Sequence, residues 1–270
     1  MTIQNKQDEN LLTNYFLQKL KNNELVSSMT VRMVKGIEIA QIAKTAGFDS
    51  IYIDLEHSSF SLETTSQICM AALSIGLAPF VRVPANTPEW ISRVLDIGAL
   101  GIIAPHIRSA KEAAEVVKFA KFPPMGERSA AGALPHLAYH SLPATKSYPI
   151  LNVNTVVIVQ FESQQALDQA EEIISTPGVD IVLIGTNDLT ADMGIAGQYD
   201  HARVDEAYRL TINLCQKYGK WCGVGGLSSR PDLVEKYVKL GARYVSAGTD
   251  MAFLISIAAE KAKQIQKIEY

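Results

Sequence analysis

The sequence predicts an α/β protein that folds as a single (β/α)8 TIM barrel. Short runs rich in Val, Ile and Ala alternate with longer amphipathic stretches, and eight such runs occur along the chain. Most of these runs are apolar almost throughout, which is typical of parallel strands buried on both faces of a sheet. A length of 270 residues suits one barrel. We therefore expect residues 1–270 to form one domain, with residues 1–10 mobile at its start.

The eight predicted strands are bounded by Gly, Pro or polar residues, which commonly mark the ends of strands. In chain order they are Leu25–Met33, Ser50–Glu56, Ala78–Val83, Leu100–Ile107, Thr155–Glu162, Asp180–Gly185, Trp221–Gly226 and Arg243–Ala247.

The predicted helices between these strands begin or end at turn residues. They are Ala40–Ala46, Leu62–Ile75, Pro88–Asp96, Ala110–Phe119 and Asp232–Leu240. A doubly wound open sheet is the alternative architecture, and it would predict a glycine-rich loop after the first strand. No G-x-G-x-x-G sequence follows Leu25–Met33, so the barrel is favoured.

The segment Lys121–Asn154 is the one long stretch that we predict to be irregular. It contains five prolines and lies between the fourth and fifth predicted strands. A loop of this length in a compact domain is usually a lid or an interface element.

The composition excludes several classes of protein. The chain has 25 Lys+Arg and 28 Asp+Glu, so it lacks the basic excess expected of a nucleic-acid-binding protein. No apolar run is long enough to span a membrane, and no secretory signal is visible. The three cysteines, Cys69, Cys215 and Cys222, match no metal-binding spacing, which indicates reduced thiols in a cytoplasmic protein.

Polar and charged side chains stand at the ends of six of the predicted strands. In a barrel, the active site lies at the C-terminal ends of the strands, so we expect these residues to meet there. They are Arg32, Asp54, Glu56, His57, Arg82, His106, Gln160, Glu162 and Asp188.

Glu162 and Asp188 follow neighbouring strands and supply two carboxylates without any cysteine or clustered histidine. Oxygen ligands of this kind suit a hard divalent cation such as Mg²⁺ or Mn²⁺. Two protein ligands would leave coordination positions open for water and a chelating substrate. The alternative is that both residues are helix N-caps, because each precedes a helical pattern.

His57 follows Asp54 and Glu56, and a histidine beside carboxylates can act as a base near neutral pH. Arg82 interrupts an apolar strand and could stabilise an enolate or a carboxylate. Structural roles are the alternatives: a hydrogen-bonded histidine at position 57, and for Arg82 an ion pair with Asp54 or Glu56. His106 could serve either in the core or in catalysis.

Other chemistries receive less support from the sequence. Predicted strands two to eight contain no interior lysine for a Schiff base, and no G-x-S-x-G nucleophile motif occurs. Glycines cluster after the last two predicted strands, where barrels often bind phosphate, so a phosphorylated substrate remains possible. These glycines are Gly223, Gly225, Gly226 and Gly248.

Taken together, the motifs resemble those of the HpcH/HpaI aldolases, the metal-dependent class II pyruvate aldolases. The resemblance extends from about Gly36 to the final helix. It rests on six motifs in order, AGFDSIYIDLEH, PFVRVP, VLDIGALGIIAPHI, PPMGER, VQFES and IGTNDLTADMG. It implies a lyase that reversibly cleaves a 4-hydroxy-2-oxo acid to pyruvate and an aldehyde through a metal-stabilised pyruvate enolate, without an organic cofactor.

The resemblance also implies roles for the catalytic positions. His57 matches the proton acceptor, which works through bound water. Asp96 matches an aspartate that a neighbouring subunit supplies to raise the basicity of that histidine. Arg82 matches the arginine that stabilises the enolate, and Asp54 and Glu56 match acidic residues that organise metal-bound water.

The metal and substrate positions are implied in the same way. Glu162 and Asp188 match the ligands of a divalent metal, for which Mg²⁺, Mn²⁺ and Co²⁺ are all suitable. Gln160 and the backbone amides of Asn187 and Asp188 match the pyruvate-binding positions. The resemblance further implies a homo-hexamer, a trimer of dimers, with the C-terminal helices exchanged between subunits.

Two departures from the family pattern leave alternatives open. Thr186 and Asn187 stand where the family usually has proline and another residue. His106 is more similar to the macrophomate synthase branch, which decarboxylates oxaloacetate to the same enolate. An oxaloacetate decarboxylase is therefore one alternative function, and a phosphoenolpyruvate-type phosphotransferase on a related barrel is another. A binding or scaffold barrel without catalysis is a third.

Overall fold

The computed structural model describes residues 11–269, and these form a closed barrel of eight parallel strands. Each strand pairs with the next along the chain, and the eighth pairs with the first. The predicted fold class is therefore confirmed. The predicted mobility of residues 1–10 lies outside the described residues.

The bounds of the observed strands lie within three residues of the predicted ones. They are β1 (Val26–Val31), β2 (Ser50–Asp54), β3 (Ala78–Arg82), β4 (Gly101–Ala104), β5 (Val156–Phe161), β6 (Ile181–Gly185), β7 (Trp221–Gly225) and β8 (Tyr244–Thr249).

The described residues form twelve α-helices, most of which pack around the outside of the barrel. They are α1 (Tyr15–Lys21), α2 (Glu38–Thr45), α3 (Leu62–Ser74), α4 (Pro88–Asp96), α5 (Ala110–Ala120), α6 (Ala144–Asn154), α7 (Gln164–Asp168), α8 (Ala170–Ser175), α9 (Thr186–Asp192), α10 (Ala202–Lys217), α11 (Pro231–Leu240) and α12 (Asp250–Gln266).

The segment Lys121–Asn154 is more ordered than predicted, because it contains a short 3₁₀-helix and all of α6. Pro149 lies inside α6, where a proline ordinarily disrupts a helix. Tertiary contacts hold the helix against that preference: the Tyr148 ring stacks on Phe122 with centroids 4.4 Å apart. The Asn152 side chain also accepts from the Phe122 N–H at 2.8 Å and donates to its carbonyl at 2.9 Å. The prediction of an irregular segment was wrong for this reason.

The interior of the barrel is apolar at one end and polar at the other. At the N-terminal end of the strands, α1 closes the barrel and its Phe16 ring packs edge-on against Phe80 and Tyr244, with centroid distances of 4.7 and 5.5 Å. At the C-terminal end, Asp54 of β2 lies beside Arg82 of β3 in the strand register. Charged side chains therefore gather at the end where barrel enzymes bind their substrates.

All three cysteines are buried and free. Burial raises the pKa of the Cys69 and Cys222 thiols and that of Cys215 to about 12, so near neutral pH they remain protonated. No helix within residues 11–269 has both the length and the apolar character needed to cross a membrane.

Candidate active site

A cavity of about 200 Å³ opens at the C-terminal end of the barrel. Six of the polar residues predicted from the sequence line it, namely Arg32, His57, Arg82, Gln160, Asn187 and Asp188. A larger cavity of about 480 Å³ lies by the start of β3, and none of the predicted site residues line that one. The polar cavity is therefore the candidate active site.

Asp54 is a fully buried carboxylate that holds two arginines. Its Oδ1 accepts from Arg82 Nε at 2.9 Å, and its Oδ2 accepts from Arg82 Nη2 at 2.7 Å and from Arg32 Nε at 2.6 Å. Burial raises the pKa of Asp54, but the hydrogen bonds and charges of the two arginines outweigh burial and hold this pKa below its usual value. Asp54 is therefore an anion that fixes both guanidinium groups.

Arg82 also pairs with Glu56, with Nη1 2.8 Å from Glu56 Oε2. The alternative prediction, an ion pair of Arg82 with Asp54 or Glu56, is thus observed with both carboxylates. The hydrogen bonds to Asp54 use two of the five guanidinium N–H groups, and the contact with Glu56 is an ion pair without a hydrogen bond to Oε2. Arg82 lines the cavity, so the ion pairs position it without consuming all its donors.

His106 joins Glu56 to Glu162. Its Nε2 lies 2.8 Å from Glu56 Oε1, its Nδ1 lies 3.0 Å from Glu162 Oε2, and its backbone N–H donates to the same Glu162 oxygen at 2.8 Å. The backbone of His106 has φ 55°, in the left-handed region that most residues avoid. The two contacts with Glu162 hold this conformation, so His106 belongs to the polar network and not to the apolar core.

Glu162 is buried, and its two oxygens face different donors. Gln160 Nε2 donates to Oε1 at 2.7 Å, whereas Oε2 accepts from His106. Burial raises the pKa of Glu162, and the nearby charge of Asp188 raises it further. Two carboxylates that repel each other in this way are the setting in which a cation is stabilising.

Gly185 is required beside Glu162 because no side chain fits there. A Cβ at this position would lie 2.8 Å from Glu162 Cγ and 2.9 Å from Gln160 Nε2. Both distances are shorter than packed atoms tolerate. The end of β6 can therefore approach the carboxylate of Glu162 only as glycine.

The predicted alternative, that Glu162 and Asp188 are helix N-caps, is wrong for both residues. Ser163 caps α7, and its hydroxyl accepts from the Ala166 N–H. Helix α9 follows Gly185, so Asp188 lies inside its first turn with its side chain exposed. Neither carboxylate therefore caps a helix.

Thr186, where the family usually has proline, is buried and forms two hydrogen bonds. Its hydroxyl donates to the Gly225 carbonyl at 2.6 Å and lies 2.7 Å from the Tyr208 hydroxyl. Next to it, the Asn187 side chain accepts from the Tyr199 hydroxyl at 2.7 Å. Thr186 and Asn187, the residues that depart from the family pattern here, therefore attach the start of α9 to its surroundings through hydrogen bonds.

His57 stands at the edge of the cavity with its side chain 52% exposed. Its Nε2 lies 3.7 Å from Glu56 Oε2, and its backbone N–H donates to Asp54 at 3.2 Å. The imidazole is therefore open to solvent while its backbone is held by the carboxylate network. This arrangement suits a base that exchanges protons with water.

Asp96 is the one predicted catalytic residue that the fold of a single chain does not bring to the cavity. It ends α4, where Arg128 Nη2 donates to its Oδ1 at 2.6 Å. Its carboxylate is partly exposed on the outer layer of the barrel. A role toward His57 through a neighbouring subunit stays a prediction.

Sequence reasoning missed part of the cavity wall. Thr30 and Ser246 line the cavity with hydroxyls 3.1 Å apart, and the buried Asp250 carboxylate accepts from the backbone N–H groups of residues 32–34. A usable signal was the alternation of Ser28, Thr30 and Arg32, because residues two apart share one face of a strand.

The residues present fit an open divalent-metal site. Glu162 and Asp188 offer hard oxygen ligands, and Gln160 Oε1 is buried without a hydrogen-bond partner among residues 11–269. The same range contains no group of three or more His, Cys, Asp or Glu side chains arranged as a closed metal site. Glu162 and Asp188 are the residues that would hold the ion, and the predicted two-carboxylate arrangement would leave coordination positions for a substrate.

Comparisons with known proteins agree with this geometry. The sequence profile of the family described as HpcH/HpaI aldolase/citrate lyase matches residues 34–256, a range that includes every predicted site residue except Arg32. The 4-hydroxy-4-methyl-2-oxoglutarate aldolase of Hapsidospora irregularis is 38% identical over 264 residues, which cover 97% of this chain and 96% of that protein.

Solved structures give the same result. The crystal structure of an HpcH/HpaI aldolase from Desulfitobacterium hafniense DCB-2 has a TM-score of 0.88 at 27% identity and covers 94% of this chain and 97% of its own. Macrophomate synthase shares the fold, with a TM-score of 0.76 at 24% identity over 93% of this chain and 91% of its own. These matches confirm the predicted family and the predicted aldolase class of enzyme: the chain belongs to the HpcH/HpaI aldolase/citrate lyase family.

Proposed function

We propose that the protein is a class II aldolase that reversibly cleaves a 4-hydroxy-2-oxo acid to pyruvate and an aldehyde. The observation that carries this proposal is that Asp188 and the anchored guanidinium of Arg82 line one cavity, and that the buried carboxylate of Glu162 accepts from Gln160 of the same lining. A 2-oxo acid presents adjacent carboxylate and keto oxygens. Those oxygens are stabilised by a cation and by fixed hydrogen-bond donors together.

Glu162 and Asp188 would hold the divalent cation, and Mg²⁺, Mn²⁺ or Co²⁺ fits their oxygen ligands. The aldolase family is generally dependent on a divalent metal. When bound, such an ion supplies a Lewis acid for the keto group of the substrate. Gln160 and the backbone N–H groups at Asn187 and Asp188 would then orient the substrate carboxylate.

Arg82 stabilises the negative charge that develops on the keto oxygen during cleavage. The N–H groups that do not bind Asp54 are the donors, and Asp54 and Glu56 keep the guanidinium plane fixed while charge builds up. Donors that are already oriented need no rearrangement in the transition state, which is why fixed groups stabilise charge efficiently.

His57 moves the proton. In cleavage, Nε2 of its imidazole accepts the proton of the 4-hydroxyl group through a water molecule, and in synthesis it removes a proton from the pyruvate methyl group. A positioned base of this kind typically contributes 10²–10⁴-fold to the rate. Glu56 lies 3.7 Å from Nε2 and stabilises the protonated ring.

We infer that α12 packs on another copy of the chain and that the assembly is a homo-hexamer built as a trimer of dimers. The helix is 17 residues long and exposed after its first residue. Its exposed side chains include Met251, Phe253, Leu254 and Ile255, together with Ile257. An apolar helix face of this length is stabilised when a partner covers it.

The test measures exchange of pyruvate methyl protons for deuterium by NMR, together with aldehyde release from a 4-hydroxy-2-oxo acid. We expect a chelator to abolish both and added Mg²⁺, Mn²⁺ or Co²⁺ to restore them, and His57→Ala to lower both by roughly 10²–10⁴-fold. Full activity after chelation would contradict the metal role. Carbon dioxide release from oxaloacetate without aldol activity would assign the decarboxylase alternative instead.

A further inference from the structure

Arg32 places a second guanidinium group in the cavity, and the proposed cleavage steps do not use it. It follows β1, lines the cavity and donates from Nε to Asp54 Oδ2 at 2.6 Å. Its side chain is 32% exposed. Within residues 11–269, neither Nη1 nor Nη2 of Arg32 has a hydrogen-bond or ion-pair partner, so four N–H donors remain available.

Both ends of Arg32 are held in place. The buried carboxylate of Asp250 accepts from the backbone N–H groups of Arg32, Met33 and Val34 at 3.1, 3.0 and 2.8 Å. The Nε hydrogen bond to Asp54 fixes the other end. A guanidinium restrained in this way loses little conformational entropy when it binds a ligand.

Among residues 11–269, Asp54 is the carboxylate that contacts the Arg32 side chain, and Arg82 shares it. Glu56 contacts only Arg82 of these two arginines. The hydroxyls of Thr30 and Ser246, which are neutral, line the same cavity. A guanidinium with free terminal donors beside neutral hydroxyls is a binding site for a carboxylate.

The bound carboxylate must lie close to the reacting carbonyl group. Arg32 Nε and Arg82 Nη2 donate to the same oxygen of Asp54, at 2.6 and 2.7 Å, so the two guanidinium groups are neighbours. An anion on Arg32 is therefore next to the group that Arg82 stabilises.

We propose that Arg32 binds the carboxylate of the acceptor, so that the preferred aldehyde carries a carboxylate directly on its carbonyl carbon. This inference rests on the proposed aldolase function. In the synthetic direction, a C–H bond of the pyruvate methyl group and the π bond of the aldehyde carbonyl break, and a C–C bond forms to the aldehyde carbon. The displaced proton ends on the aldehyde oxygen, which becomes the 4-hydroxyl group.

The experiment compares two aldehydes of similar size, glyoxylate with a carboxylate and glycolaldehyde with a neutral hydroxymethyl group. The quantity measured is the ratio of kcat/KM for glyoxylate to that for glycolaldehyde, each with pyruvate and added Mn²⁺. We expect the wild-type ratio to be well above one, and Arg32→Met to lower it by roughly 10- to 100-fold, because a charge-assisted hydrogen-bonded pair is lost. Arg209→Met, which removes an exposed arginine of α10, is the matched control and should leave the ratio unchanged.

Arg32→Lys keeps the charge without the planar donors, and we expect a ratio between those of the wild type and Arg32→Met. This variant carries the test if Arg32→Met does not fold. An unchanged ratio in the Arg32 variants would overturn this inference. Deuterium exchange into pyruvate needs no acceptor, so its absence in the wild-type enzyme would reject the proposed function itself.

Discussion

The carboxylate of Asp54 has no exposed surface, yet it remains charged because two arginines donate to it. Arg82 illustrates what this means for a single residue. An arginine in an apolar strand can be either structural or functional, and the geometry allows Arg82 to be both. Its ion pairs with Asp54 and Glu56 leave N–H groups of the guanidinium free to bind substrate. The ion pairs therefore hold this guanidinium in position for catalysis.

Thr186 carries a residue-scale prediction about stability. Replacing it with valine keeps the shape but leaves the Gly225 carbonyl and the Tyr208 hydroxyl without the hydroxyl they now contact. We expect Thr186→Val to lower the free energy of unfolding by about 1–3 kcal/mol, the cost of buried unsatisfied polar groups. Urea unfolding monitored by circular dichroism measures this change.

Thr211 of α10 offers a matched control. It is also fully buried, but its hydroxyl has no hydrogen-bond partner within residues 11–269. Thr211→Val therefore removes no hydrogen bond and should leave the free energy of unfolding unchanged or slightly higher. Equal losses in the two valine variants would show that the Thr186 hydrogen bonds contribute nothing specific.

At the scale of elements, the segment Lys121–Asn154 is stabilised by buried polar contacts that connect it to the barrel. His136, in its 3₁₀-helix, is 7% exposed and its Nε2 lies 2.9 Å from the Ala99 carbonyl. Desolvation lowers the pKa of His136 to about 4, and the neighbouring charge of Arg128 lowers it further despite the hydrogen bond to Ala99. This histidine is buried as a neutral group.

The consequence is acid sensitivity of the fold. The pKa of His136 is about 6.5 in the unfolded chain and about 4 in the folded chain. Between these two pH values, the unfolded chain binds a proton at residue 136 and the folded chain does not. The stability contribution is present above pH 6.5 and is lost through this window, by about 2 kcal/mol between pH 7 and pH 5. Urea unfolding at the two pH values measures the loss.

The comparison variant is His136→Gln, which can still donate to the Ala99 carbonyl but does not titrate. Between pH 7 and pH 5, we expect the free energy of unfolding of this variant to decrease less than that of the wild type. The difference between the two decreases should be about 2 kcal/mol, the contribution of His136. His140→Gln, an exposed histidine in the same segment, serves as the control. A wild-type decrease no larger than that of His136→Gln would show that His136 is not responsible.

At the scale of the whole molecule, the barrel separates its apolar and polar ends. Helix α1 fills the N-terminal end with Phe16, whereas the network from Arg32 through Asp54, Glu56 and His106 occupies the C-terminal end. The proposed packing of α12 on another copy of the chain and the predicted role of Asp96 toward a neighbour's His57 both depend on assembly. Under these two proposals, an active site is complete only when subunits associate.

A mixture of two inactive variants tests whether Asp96 serves a neighbouring site. His57→Ala and Asp96→Asn are unfolded together and refolded, so that subunits associate at random. If Asp96 acts across the interface, a site is complete when its own His57 and the neighbour's Asp96 are intact, and about a quarter of wild-type activity should return. Activity no higher than the average of the two separate variants would place the action of Asp96 within its own chain.

Local patterns in the sequence predicted much of this protein. Strand and helix bounds follow from apolar runs and turn residues, because these depend on neighbours along the chain. The same patterns predicted that polar residues gather at the strand ends, and the motifs predicted the family. They did not predict α6, since tertiary contacts of Tyr148 and Asn152 outweigh the effect of Pro149.

Only the tertiary structure decided which charges meet. Asp54 can hold both Arg32 and Arg82 because β2 pairs in parallel with β1 on one side and with β3 on the other. The junction of His106 with Glu162 and the hydroxyl contact of Thr186 with Tyr208 likewise join residues from different elements. The sequence by itself determined the fold, the family and the set of strand-end residues. The pairing of those residues depends on distances across the barrel, which no local pattern encodes.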